Sequence, residues 1–225
     1  MNEVRHKQLS SSQRALLELR EKIFSGELAP GSDHLESELA EQLNMSRTPV
    51  REAVLMLESQ GLLAMRPRKG VRVLPLSPED MEEIYDVLTE LESLAAECAA
   101  RASHKEEDLR HLLTAIDDMD VAIADGDLEA WANADDRFHT ELVRLGGNSR
   151  VSSIVHMMSD QVRRARMTTL FMRPLPTKSN EDHRKVYNAI KNGETQTARD
   201  THREHRLHAK TIIVELLKKH RFRFL

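Results

Sequence analysis

Histidine is frequent in this chain, eleven of 225 residues, and its placement suggests coordination chemistry. Asp135 and His139 stand four apart in Asp135-Asp136-Arg137-Phe138-His139, so a helix carries both on one face. His183 falls in the first turn of a later helical stretch, and His202, His205 and His208 lie in the last one. In a bundle, an Asp/His pair from one helix and single histidines from two others can meet at a point. Three imidazoles and a carboxylate suit a borderline divalent ion, zinc first, with nickel, manganese or iron as alternatives. Spacing alone leaves the choice among His202, His205 and His208 open, and it is also met by hydrogen-bonded core histidines beside a solvated acid pair. An open zinc site could activate water, so a metal-dependent hydrolase is the alternative class. Against it, the chain has no H-E-x-x-H, the HREH of His202 to His205 has the wrong spacing for that motif, and no serine or cysteine nucleophile signature is present.

A second set of residues could read nucleic acid. Arg47, Thr48 and Arg51 sit at the start of one short helical stretch, and Arg66, Arg68, Lys69 and Arg72 follow in a segment built around Gly70. Between Arg47 and Arg72 the basic residues number six and the acidic ones two, Glu52 and Glu58. Guanidinium groups at a helix start can meet base edges in the major groove, and basic side chains on a hairpin can reach phosphate or the minor groove.

The elements that must position these groups are legible. A helix over 12–25 carries Leu16, Leu19 and Ile23 on one stripe and ends at Gly26. A helix over 35–43 shows Leu35, Leu39, Ala40 and Leu43 on one face and stops at Asn44. Ser46 is positioned to cap the next helix, with Pro49 in its first turn, Val50, Ala53, Val54 and Leu57 inward, and Gly61 at its end. Two strands, LLAMRP and VRVLP, follow around Arg68-Lys69-Gly70. This order, three helices and a basic hairpin, is a winged helix-turn-helix over residues 10–76, with the helix after the turn as the DNA reader.

From Ser77-Pro78 onward everything reads as helix: 78–102, 104–125, 128–145, 149–172, 180–192 and 195–220. Ser77, Asp127 and Asn148 or Ser149 are expected caps, Ser103 with Glu106 and Ser179 with Asp182 expected capping boxes, and Gly126, Gly146-Gly147 and Gly193 expected stops. Six helices with short connections predict an all-α antiparallel bundle over 77–222, so the chain is mainly α with two domains.

Composition fits this division. Net charge is −4, but up to Leu76 there are 11 basic residues against 10 acidic, leaving 22 against 27 beyond, so the basic character is local. One cysteine, Cys98, excludes an intrachain disulfide and reads as a buried, inert thiol in a reducing compartment. The polar N-terminus, with residues 1–10 expected mobile, and the lack of a long apolar run predict a cytoplasmic protein without a membrane partner.

The string GELAPGSDHLESELAEQLNMSRTPVREAVLMLESQGLL resembles the N-terminal domain of GntR-type transcription regulators, most specifically at SRTPVREA. The resemblance implies that Arg47, Thr48 and Arg51 contact operator DNA and that Arg68, Lys69 and Gly70 form the wing tip. Where some relatives carry a DNA-contacting arginine in the helix before the turn, this chain has Ser37. The segments DDRFHTELVRLGGNSR, EDHRKVYNAIKNGE and ARDTHREHRLH are similar to the helical effector domain of the FadR branch, called FCD. That similarity implies a metal held by Asp135, His139, His183 and His205, with His202 as neighbour or substitute. It also implies a small organic-acid effector, although the arginine that grips a carboxylate in many members is matched here by Leu88. Arg163, Arg164 and Arg166 are then the candidates to meet the effector. The resulting expectation is a homodimeric, ligand-responsive repressor acting on an inverted-repeat operator.

Overall fold

The computed structural model describes residues 9–220. The expectation for residues 1–8, and the last two residues of the 77–222 bundle, lie outside that range. Two compact units divide between Leu76 and Ser77.

The first unit is built from α1 (Ser11–Phe24), β1 (Asp33–His34), α2 (Glu36–Gln42), α3 (Arg47–Ser59), β2 (Leu63–Arg66) and β3 (Gly70–Val73). Ala15, Leu19 and Ile23 of α1 pack with Leu39 of α2 and with Val50, Ala53, Val54 and Leu57 of α3 in one buried cluster. Removal of this apolar surface from water is the main force holding three short helices together. Asn44 makes the turn between α2 and α3 at φ 51, and Met45 N–H closes it on the Ala40 carbonyl at 2.9 Å. Leu35 stands at the N-cap of α2 and is exposed, contrary to its expected inward position. Ser46 occupies the N-cap of α3 but makes no side-chain capping bond.

The sheet has three strands in the order β1-β3-β2, all antiparallel, with Asp33 opposite Arg72 and Arg66 opposite Gly70. β1 was not expected, because two residues are too short for any alternation to show. It explains Gly70. At φ +81, a Cβ there would lie 2.1 Å from the His34 carbonyl oxygen, so only glycine lets β1 close on the wing.

The second unit comprises α4 (Pro78–Arg101), α5 (Arg110–Asp125), α6 (Leu128–Leu145), α7 (Ser149–Thr169) with a 3-10 turn at Leu170–Met172, α8 (Thr177–Asn192) and α9 (Thr195–His220). Its core joins α4, α5, α6 and α8 through residues such as Ala96, Leu112, Ile116, Phe138, Leu142, Val186 and Ile190. Ser77, Asp127 and Asn148 cap α4, α6 and α7 with their side chains.

Two expected capping boxes do not form. The chain turns over 104–109, Asp108 accepts from Lys105 N–H at 2.8 Å, and α5 begins only at Arg110. At the other, α8 starts earlier, at Thr177 behind Pro176, and Asp182 is engaged by Lys178 within the helix. Gly146 ends α6 against α4: a Cβ would lie 2.8 Å from the Ala95 backbone, so the close approach of the two helices requires its absence. Cys98, expected buried, is half-buried in α4. Among the described residues no helix is long and apolar enough to cross a membrane.

Candidate functional site

The buried stripe of α6 holds Trp131, Asp135, Phe138, His139 and Leu142. α8 contributes His183, which is fully buried, and α9 contributes His202, His205 and Arg206 from about one helical turn. Bundle packing brings these stripes together. Asp135, His139, His183 and His205 are all buried, and one donor atom from each lies within 4.8 Å of the others. His183 Nε2 is 3.2 Å from His205 Nε2 and 3.6 Å from Asp135 Oδ1, and His139 Nε2 is 3.7 Å from Asp135 Oδ2. Ligand atoms at ~2.0–2.1 Å around a tetrahedral ion stand about 3.3 Å apart, so these separations suit a divalent ion with little rearrangement.

The electrostatics agree with the donor chemistry. Burial, reinforced by neighbouring histidines, holds His183 and His205 far below the ordinary imidazole range, hence neutral and able to ligate. Burial alone would raise Asp135, but Arg166 reverses this and keeps it ionised below its usual value. Arg166 Nη1 lies 2.5 Å from Asp135 Oδ2 and also pairs with Asp136.

Two residues that the sequence reading did not single out complete the cluster. Glu92 of α4 is buried and accepts from His139 Nδ1 at 2.8 Å and His202 Nε2 at 3.1 Å. A carboxylate can only accept, so His139 carries its proton on Nδ1 and turns Nε2 toward Asp135. Burial would raise Glu92, but Arg206 and His139 hold it well below the usual carboxylate range. His202 is depressed to about 4, chiefly by burial. Glu92, His139 and His202 could by themselves be taken for a second metal group. Arg206 Nη2, 3.5 Å from Glu92 Oε1, would face any ion placed there, so the three act better as an outer layer that orients His139. Both missed residues were in phase with visible stripes: Glu92 lies four after Leu88 on α4, and Arg206 lies four after His202 on α9.

Beside the cluster lies a cavity of about 300 Å³, with His139, Arg163, Arg166 and Arg206 on its polar side and Leu88 and Val143 on its apolar side. Of the three arginines expected to meet an effector, Arg163 and Arg166 line it and Arg164 does not. Arg163 contacts Asn133 and Asp136 at 3.2 and 3.1 Å. Arg164 is buried elsewhere, and burial lowers its pKa to about 10.

In the first unit, α3 buries Val50, Ala53, Val54 and Leu57, which leaves Arg47, Thr48 and Arg51 exposed on its other face. The wing differs from expectation. Arg72 makes a two-pronged contact with Asp33 at 2.9 and 3.0 Å, and Arg66 lies 3.6 Å from the same carboxylate. Arg68 and Lys69 are exposed at the tip, where Arg68 adopts φ 64. Gly70 has a structural reason to be glycine that owes nothing to DNA.

Comparison with known proteins finds two family matches. Residues 11–73 match the bacterial regulatory proteins of the gntR family, and residues 83–208 match the FCD domain. An uncharacterised HTH-type transcriptional regulator from the TAR-I ttuE-ttuC′ intergenic region of Agrobacterium vitis is 43% identical over 127 residues, 56% of this chain and 74% of that protein. A probable D-xylose utilization operon transcriptional repressor of Paenarthrobacter nicotinovorans is 33% identical over 181 residues, covering 78% of this chain and 76% of the relative. Among solved structures, E. coli McbR/YncC superposes with a TM-score of 0.77 at 23% identity, over 93% of this chain and 99% of that one, a likeness of fold. The matched families and relatives regulate transcription and are not enzymes, so the hydrolase alternative is set aside.

Proposed function

The chain belongs to the GntR family of bacterial regulatory proteins, as a DNA-binding transcription regulator with an FCD domain, and from that premise we propose a metal-loaded, effector-responsive repressor. Asp135, His139, His183 and His205 would hold one divalent ion, with zinc the best match to three imidazoles and a carboxylate. When bound, the ion would supply a fixed positive charge beside the cavity, and a Lewis-acidic position only if its coordination expands beyond the four protein donors. The chain's own groups do the rest: Glu92 orients His139, Arg166 keeps Asp135 ionised, and Leu88 and Val143 give an effector an apolar wall.

The observation that carries this reading is the convergence of four buried metal-type donors next to a cavity, in a chain whose α3 leaves two arginines exposed. Two copies would present two α3 helices to an inverted repeat with half-sites about 34 Å apart. Work on chromosomal DNA implies a cytoplasmic location. An effector need couple to DNA affinity by only about 1–3 kcal/mol to act as a switch.

Operator binding by the purified protein tests the DNA half. Arg47→Ala is expected to lose about 1–3 kcal/mol of base discrimination. A variant that binds as tightly and as selectively as the parent would remove Arg47 from the reading face. An operator affinity that no metal or small acid alters would remove the effector half.

A further inference from the structure

The four donors that would hold the ion are shut in: Asp135, His139, His183 and His205 are all buried. An ion reaches them only through an opening in the bundle, and two cavities touch the cluster. One, of about 270 Å³, has His205 in its wall together with Arg173, Lys178 and His208 and no carboxylate. A cation entering there passes two positive side chains with no acid in the wall to offset them. The other is the 300 Å³ cavity that holds His139, and its wall carries Glu92, Asp136 and Asp160. The arginines of this wall stand beside acids: Arg163 and Arg166 by Asp136, and Arg206 by Glu92. This is the side from which a divalent ion can approach.

Next to it lies an outer groove of about 540 Å³, with exposed His111 and Thr114 of α5 and Asn133 and Arg137 of α6 on its sides. Groove and cavity have three residues in common, Asp136, Thr140 and Arg163, which therefore form the wall between them. Asp136 and Thr140 stand one turn apart on α6, and Arg163 reaches across from α7. Its Nε lies 3.1 Å from Asp136 Oδ2, and its Nη2 donates to Asn133 Oδ1 at 3.2 Å. The Arg163 side chain is 35% exposed, against 6% for Arg166, which Asp135 and Asp136 hold. An ion pair so open to water is weak and breaks and re-forms readily. With Arg163 swung out, groove and cavity join. The first carboxylate a cation then meets is Asp136, the neighbour in sequence of Asp135.

We infer that Arg163 is a latch on the passage by which the divalent ion enters and leaves the bundle, a passage that runs from the outer groove past Asp136 to His139 and Asp135. The latch sets the rate of exchange rather than the affinity, because Arg163 contacts none of the four donors. The inference rests on the metal reading and adds the route and the residue that controls it.

The test uses the full-length protein loaded with zinc. Excess chromophoric chelator reads the release rate, competition at equilibrium reads the affinity, and release divided by the dissociation constant gives uptake. Arg163→Ala is expected to speed release and uptake together, each about three- to tenfold, the worth of a part-exposed ion pair with one added hydrogen bond. His208→Ala, in the wall of the other cavity, is expected to change neither rate. Arg163→Ala that exchanges zinc at the parent's rate would overturn the proposal. So would faster release matched by an equal loss of affinity, which marks a loosened site rather than an opened passage. Faster or slower exchange in His208→Ala alone would move the route to the other cavity and overturn it as well. Should Arg163→Ala fail to fold, Asn133→Ala removes one of the two contacts that hold the latch, and exchange no faster than the parent's would overturn the proposal equally. A parent that binds zinc normally while Arg163→Ala changes nothing removes the latch and leaves the metal reading standing. A parent that takes up no zinc at all removes that reading, and the latch with it.

Discussion

Replacing Glu92 with glutamine removes one negative charge from the middle of the bundle and keeps its shape. Glu92 is 2% exposed, accepts from His139 and His202, and is the counter-charge beside Arg206. Breaking a buried pair by neutralising one partner costs about 3–5 kcal/mol, because the remaining charge is left uncompensated. The glutamine carbonyl can still accept one of the two histidine bonds, which places the expectation near the lower end, about 3 kcal/mol. At about 2–4 °C per kcal/mol for a chain of this size, the melting transition of the bundle should fall by about 6–12 °C. A second effect follows from geometry. Without a carboxylate on Nδ1, His139 loses the bond that turns Nε2 toward Asp135, and losing such an outer partner costs about 10–100-fold in metal affinity. Calorimetry on the metal-stripped protein measures the first effect, and competition for zinc against a chromophoric chelator measures the second. A variant within about 2 °C and threefold of the parent would mean that Glu92 neither balances Arg206 nor orients His139.

Acid should weaken the metal-stripped protein. Burial holds His202 at about 4 against an ordinary 6.5, so below pH 6.5 the unfolded chain takes up a proton that the folded chain refuses until about pH 4. His202 alone then removes about 2 kcal/mol by about pH 5, and His183 and His205, lowered by burial, act in the same sense. A urea midpoint that stays level or rises between neutral pH and about pH 5 would contradict this. Asp33→Asn should free Arg66 and Arg72 on the wing, raising affinity for DNA and steepening its fall with salt by about 0.9 per phosphate gained. An unchanged salt slope would mean that neither arginine reaches the backbone.

The parts of the fold that were legible in the sequence are those that local chemistry sets. Ser77, Asp127 and Asn148 cap helices because their side chains can reach the free N–H groups of the first turn, and Asn44 turns the chain because it tolerates positive φ. The parts that were not legible depend on partners distant in sequence. β1 exists only because β3 lies beside it, and Asp33 takes Arg72 across 39 positions, so neither could be read from a window. The two failed capping boxes show a matching pattern outcompeted, in one case by Asp108 and in the other by Lys178. At the centre, the four-residue spacing of Asp135 and His139 marked a shared face, but which α9 histidine joins them depends on helix phase and packing. Glu92 and Arg206 were visible as charged residues on apolar stripes, yet only packing shows that they meet each other rather than solvent.

Elemental analysis of the full-length protein, purified without added metal or chelator, bears most directly on the central claim. One divalent ion per chain is the expected result, falling to near zero in His183→Ala while that variant keeps its helical content. A parent that carries no metal and takes up none on titration, or a His183→Ala variant that holds as much as the parent, would contradict the assignment of Asp135, His139, His183 and His205 as one site.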